Sequence, residues 1–182
     1  MTIHTKRLDI KEMVFSDALN YYNYAKDKEV ASLAGFKPVS SLETAKNIVI
    51  GAMYRGDTYS IYLKDTDTFI GTCNTYQRGV RTIKDVLTLG ISLDKKYWSF
   101  GFGTETILAL VKYCFKHKKT SVLEMTAFVD NMRSRKMIEK VGFKLDGIIK
   151  RYGKLYDNTI YDIALYSYFK EDYEEMEKWK KY

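Results

Sequence analysis

Tyr97-Trp98-Ser99-Phe100-Gly101-Phe102-Gly103-Thr104-Glu105 joins two segments of different periodicity. Before it, Leu87, Leu89, Ile91 and Leu93 alternate as the residues of a half-buried strand do. After it, Ile107, Leu108, Val111, Cys114 and Phe115 recur at helical spacing. The glycines therefore fall where a strand hands over to a helix N-terminus. Backbone N–H groups of a first helical turn have no partner within the helix, and the macrodipole adds partial positive charge, so the junction suits an anion. Glycine lets the main chain approach a phosphate with no Cβ in the way. By itself Gly-x-Gly before a helix describes an empty tight turn equally well.

A second segment adds to this. Asn131-Met132-Arg133-Ser134-Arg135-Lys136-Met137-Ile138-Glu139-Lys140-Val141-Gly142-Phe143 reads as a helix with Asn131 at the N-cap and Gly142 just past its end. Residues 121–129 between the two segments form an apolar strand. This order of strand, glycine loop, helix, strand and Asn-capped helix resembles the GCN5-related N-acetyltransferase (GNAT) superfamily, most closely its RimJ/RimL-like branch. The resemblance extends over nearly the whole chain. Thr5 to Leu8 looks like an opening strand, Tyr59 to Lys64 with Phe69 to Thr72 like a central hairpin, and Tyr161-Asp162 with Leu165 to Ser167 like closing strands. It implies an α/β fold: a mixed, largely antiparallel sheet of six to seven strands flanked by about four helices, as one domain over residues 1–182.

Composition agrees. The 182 residues are 46% hydrophobic, enough for one core. No apolar run reaches the length of a membrane span, and the first residues lack the apolar stretch of a signal peptide, so a cytoplasmic location without membrane attachment is expected. Cys73 and Cys114 fall in a predicted strand and helix, where they read as buried small hydrophobes. With only His4 and His117 besides, no metal-ligand spacing exists, and no metal is expected. The formal charge of +7 favours polyanionic ligands.

Along the chain, residues 16–25 read as a first helix, and Ser40-Ser41-Leu42-Glu43 as a capping box opening a second that runs to about Tyr54. Residues 28–39, with the only proline, Pro38, read as an irregular loop. Asp65 to Thr68 forms a hairpin turn, and residues 170–182 a charged tail ending as a surface helix. Tyr21, Tyr22 and Tyr24 crowd the first helix without an assigned role.

The resemblance implies transfer of an acetyl group from acetyl-CoA, the cosubstrate, to a primary amine in a ternary complex. The expected acceptor is a peptide or protein N-terminal α-amine, with a polyamine, aminoglycoside or amino sugar as the alternative. The chain is expected to act as a monomer or homodimer. Ile91, Leu93, Trp98, Ser99, Phe100, Gly101, Phe102, Gly103, Thr104, Asn131, Arg135 and Lys136 are the expected cofactor-binding residues. A main-chain N–H between Gly90 and Ser92 would polarise the thioester carbonyl. Many members place Tyr seven residues after the Asn as general acid, but here Ile138 stands there. Branch members often carry Glu before the Leu-Gly of the fourth strand, where this chain has Thr88. Ser134 matches the family's Asn-x-x-Ser and is the expected catalytic residue, although a packing serine would occupy the same place. Asp85, Glu124 and Asp162 are candidate bases or anchors of a water chain.

Two other function classes fit parts of the chain. A dinucleotide-binding oxidoreductase could use Gly101-x-Gly103, yet Thr106 occupies the third fingerprint position and several strands precede the loop. A non-catalytic RNA-binding module would interleave basic and aromatic residues on a strand face, whereas Arg78, Arg81 and Lys84 flank a loop. Nucleic acid is therefore not an expected partner.

Overall fold

A parallel neighbour inside an otherwise antiparallel sheet organises the molecule. The computed structural model describes residues 2–77 and 79–179. Its strands are β1 (Thr2–His4), β2 (Leu8–Glu12), β3 (Thr58–Leu63), β4 (Thr68–Tyr76), β5 (Val86–Leu93), β6 (Val122–Phe128), β7 (Lys144–Lys154) and β8 (Ile160–Phe169). They lie in one sheet in the order β1-β2-β3-β4-β5-β6-β8-β7. Every neighbouring pair is antiparallel except β5 and β6. Parallel neighbours need a crossover, supplied here by helix α4 (Phe102–His117).

The β5–β6 pairing is short. Val86 to Thr88 faces Val122 to Glu124, and no further pairs form between them. β5 nevertheless continues to Leu93 along β4, and β6 to Phe128 along β8. The sheet thus splits into a V from Leu89 and Met125 onward.

Helices α1 (Ala18–Ala25), α2 (Lys28–Ala34) and α3 (Leu42–Arg55) cover one face, where Tyr24, Val30, Val39 and Ala45 pack together. On the other face Ile107, Leu110, Val111 and Cys114 of α4 meet Leu8, Ile61, Cys73 and Leu89 of the sheet. Helix α5 (Met132–Val141) lies beside α4, and α6 (Lys170–Trp179) follows β8.

The architecture has eight strands and six α-helices among the described residues, more than the six to seven and about four expected. Residues 28–39 are not wholly irregular: Asp27 caps α2 by accepting from the Glu29 and Val30 N–H groups, and Gly35 ends it at φ 77°. α3 starts on Ser41, whose hydroxyl accepts from the Thr44 N–H, and not on Ser40. Leu108 faces solvent, and Leu110 takes its place in the core. The tail helix is no pure surface element, because Tyr173 is buried against Phe115. Residues 180–182 of the expected tail lie outside the described residues.

Candidate active site

The V between β5 and β6 opens beside the start of α4, and the local chain explains its shape. After β5, Asp94 caps a short 3-10 turn over Lys95–Tyr97. Trp98 then donates from Nε1 to the Leu93 carbonyl at 2.8 Å, folding the loop back against the strand end. Ser99 adopts φ 68° and Gly101 φ 83°, so two of three successive residues are in the left-handed region. Such backbone is costly for serine and easy for glycine. Gly101 is the N-cap of α4 and offers no side chain to occupy the first-turn N–H groups. A Cβ on Gly103 would project toward Met137, Leu93 and Ile91 at 3.8–4.0 Å, into the slot between β5 and α5.

The loop is anchored by the turn between β1 and β2, at the same end of the sheet. Glu105 accepts from the Thr5 hydroxyl at 2.7 Å, the Arg7 N–H at 2.8 Å and Arg7 Nε at 2.7 Å. Arg7 Nη1 donates to the Phe100 carbonyl at 3.0 Å, and the same guanidinium lies 4.4 Å from the centre of the Phe102 ring. Burial pushes the Glu105 carboxyl up, but these hydrogen bonds and the Arg7 charge outweigh it and hold it below the ordinary value.

Across the V, Asn131 caps α5 by accepting from the Ser134 N–H at 3.1 Å, while its amide nitrogen donates to the Leu33 carbonyl of α2 at 3.4 Å. Arg133, one residue into the same turn as Ser134, lays its guanidinium 3.6 Å from the centre of the Trp98 ring. The result is a cleft of about 680 Å³ that takes in both arms of the V and continues over the α1–α3 face.

Of the residues expected from sequence, Ile91, Leu93, Trp98, Ser99, Gly101, Gly103, Thr104, Asn131 and Ser134 line this cleft together. Four do not. Phe100 is 63% exposed and Phe102 packs beneath Arg7, so each contributes main chain and not a side chain. Arg135 turns away, donating to the Tyr166 hydroxyl at 3.0 Å and the Val129 carbonyl at 3.1 Å. Lys136 is exposed and outside the lining. Among the described residues, the cations that do line the cleft are Arg133, Lys140 and Arg55. Helical spacing carried this signal: Arg133 and Lys140 are seven residues apart and share a face with Met137.

No Asp or Glu lines the cleft among the described residues. The candidate bases lie elsewhere. Glu124 is fully buried and accepts from the Val80 N–H at 2.8 Å and Arg81 Nη1 at 2.6 Å. Asp85 is bonded by the Ser121 hydroxyl, and Asp162 accepts from the Arg151 N–H at 2.7 Å. Tyr24 lines the cleft, bonded to the Thr72 hydroxyl at 2.8 Å, with burial pushing its phenol well up. Cys73 and Cys114 are free and buried in the core, where burial pushes the Cys114 thiol up to about 12. No cluster of His, Cys, Asp and Glu suited to a metal occurs among the described residues.

The family model described as "Acetyltransferase (GNAT) domain" matches residues 7–144, which include both arms of the V, the glycine loop and all of α5. The chain belongs to the GNAT acetyltransferases. As a GNAT acetyltransferase it is 25% identical over 177 residues to "Uncharacterized N-acetyltransferase p20" of Bacillus licheniformis, covering 94% of this chain and 98% of that protein. Its fold matches a GNAT-family acetyltransferase from Bacillus anthracis with a TM-score of 0.85 and 23% identity, over 94% of this chain and 99% of that one. It also matches RimL, a ribosomal L7/L12 alpha-N-protein acetyltransferase solved with coenzyme A, with a TM-score of 0.80 and 19% identity, again over 94% and 99%. Within this GNAT fold, Thr88 is the last β5 residue paired to β6, and the cleft begins just after it.

Proposed function

We propose that this acetyltransferase moves the acetyl group of acetyl-CoA to the α-amine of a peptide or protein, in the manner of the RimJ/RimL-like branch. The observation that carries this reading is the V between β5 and β6, continuous with a roomy cleft that no carboxylate among the described residues lines. The residues fit the cosubstrate. First-turn N–H groups of α4 are open at Gly101, and the side of Gly103 facing β5 and α5 would be filled by any Cβ.

Acetyl-CoA supplies a thioester-activated acetyl group. The main chain from Ser99 to Thr104 binds its pyrophosphate with N–H donors, and Arg133 and Lys140 add positive charge across the slot. The cleft-facing edge of β5 from Gly90 to Ser92, unpaired with β6, offers an N–H donor to the carbonyl oxygen as negative charge develops there. The amine nitrogen attacks the carbonyl carbon and the C–S bond breaks. The amine's proton leaves to water, and the departing thiolate takes a proton through the Ser134 hydroxyl, which regains one from that water as it gives one up. A polycationic acceptor is disfavoured, because among the described residues the charged ones of the lining are Arg55, Arg133 and Lys140.

A thiol-release assay with acetyl-CoA tests this across synthetic peptides, a polyamine, an aminoglycoside and an amino sugar. Turnover on peptides is expected. Turnover confined to the polyamine or the sugars would replace the acceptor assignment, and thiol release on no amine would remove the activity.

A further inference from the structure

The cleft does not end over the α1–α3 face. Arg55, Thr58, Asn74 and Tyr76 form its rim there, and the same four residues line a second hollow of about 730 Å³. Thr58 opens β3 and Tyr76 closes β4, so the rim lies at one end of the sheet. From it the second hollow runs past the start of β5 to the C-terminal end of α4, where Lys118 and Lys119 stand opposite Lys84. All three lysines are exposed.

Charge along this track has one sign. Among the described residues, Arg55, Lys84, Lys118 and Lys119 are set against a single carboxylate, Asp57. That carboxylate is already engaged, by Arg55 Nε at 3.3 Å and by the Thr58 hydroxyl at 2.9 Å. Lys118 also lies 5.9 Å from the centre of the Tyr113 ring. None of the three lysines forms an ion pair with a carboxylate among the described residues. A small amine would be contained by the cleft alone, so the second hollow and its lysines call for an acceptor that extends beyond the rim and carries negative charge.

We propose that the acceptor is a polypeptide whose residues just after the acetylated N-terminus are acidic, lying over Arg55 and running toward Lys84, Lys118 and Lys119. This rests on the peptide-acceptor reading above and adds the sequence class. The lysines select the acceptor electrostatically and take no part in the acetyl transfer. They lower KM and leave kcat alone, because they hold a part of the acceptor remote from the reacting atoms.

The test uses the full chain, acetyl-CoA, and synthetic peptides that share one N-terminal residue and continue with all acidic, all amide or all basic residues. KM for the acidic peptide should be roughly tenfold below that for the amide peptide, as three exposed ion pairs worth about a factor of two each would give. In Lys84→Glu/Lys118→Glu/Lys119→Glu that preference should vanish or invert, with kcat and the KM for acetyl-CoA unchanged. Anisotropy of the dye-labelled acidic peptide on the coenzyme A complex should show the same loss without relying on turnover, and should weaken with added salt. Equal KM for acidic and amide peptides, or a preference that survives in the triple variant, would overturn the proposal while leaving peptide acetylation in place. Turnover of a small amine with none of any peptide would overturn the peptide reading itself and the track with it. Lysine-dependent binding of a single-stranded RNA oligonucleotide, without binding of the acidic peptide, would reassign the track to nucleic acid.

Discussion

Arg133 holds its guanidinium 3.6 Å from the centre of the Trp98 ring, tying the first turn of α5 to the loop that opens α4. Both residues line the cleft, so this contact bridges the two walls of the slot between β5 and β6. Arg133→Ala should weaken acetyl-CoA binding by about two- to fivefold, the value of one exposed cation–π contact. Calorimetry gives the affinity, and Trp fluorescence of the unliganded variant should shift because the ring loses its cover. An unchanged affinity would confine Arg133 to packing.

Ser134 shares that turn, with its N–H on the Asn131 cap and its side chain at the cleft. Ser134→Ala should lower kcat roughly 10- to 1000-fold, as loss of a proton donor does, and leave acetyl-CoA affinity unaltered. A kcat within about twofold of the parent would assign thiolate protonation to solvent.

Glu105 makes a pH-dependent contribution to stability. Its folded value lies below the ordinary 4.5, so its stabilisation is complete above that pH and is lost as pH falls through the lower folded value. Glu105→Gln should therefore lower Tm by roughly 2–4 °C near neutrality, about 1 kcal/mol for a chain of this size, and the gap to the parent should close as the solution is acidified. Scanning calorimetry across pH checks both. A gap that persists well below the ordinary carboxyl range would mean that the charge of Glu105 is not what anchors the glycine loop.

Much of this was legible because its signals are local. The Gly101-x-Gly103 junction, the Asn131 cap and the Gly142 stop each depend on a few adjacent residues, and each appears where the sequence reads it. β7 was not legible: Lys144–Lys154 alternates poorly, because most of its residues on this edge strand are exposed and nothing selects an apolar face. α2 is seven residues long, too short for periodicity to register above the Asp27 and Gly35 caps that delimit it. Arg135 and Arg133 are two positions apart and therefore on different helix faces, which composition cannot distinguish. Glu124 was a candidate base, yet its partner Arg81 lies 43 residues away and only the fold brings them together.

That pair gives a further prediction. Glu124 is fully buried and joined to Arg81 at 2.6 Å, with the Val80 N–H as a second donor. Glu124→Ala would leave the Val80 N–H without its acceptor, while Arg81 keeps Asp146 at 3.0 Å, and the unsatisfied donor should cost about 1–3 kcal/mol. Denaturant unfolding measures the loss. Enzyme that remains folded should keep the parent's kcat, whereas loss of turnover at full folding would restore Glu124 as a base.

The proposed acetyl transfer depends most on acetyl-CoA lying in the slot flanked by Gly103, Ile91, Leu93 and Met137. A Cβ at Gly103 meets those neighbours at ordinary contact distance, so Gly103→Val should fold like the parent while filling the slot. The deciding measurement is calorimetric titration of acetyl-CoA into the parent and Gly103→Val, with the Tm of each recorded without ligand. The parent should bind saturably, and the variant should lose about tenfold or more in affinity, near 1.4 kcal/mol, at nearly unchanged Tm. Equal affinity in the two proteins would contradict this placement of the site.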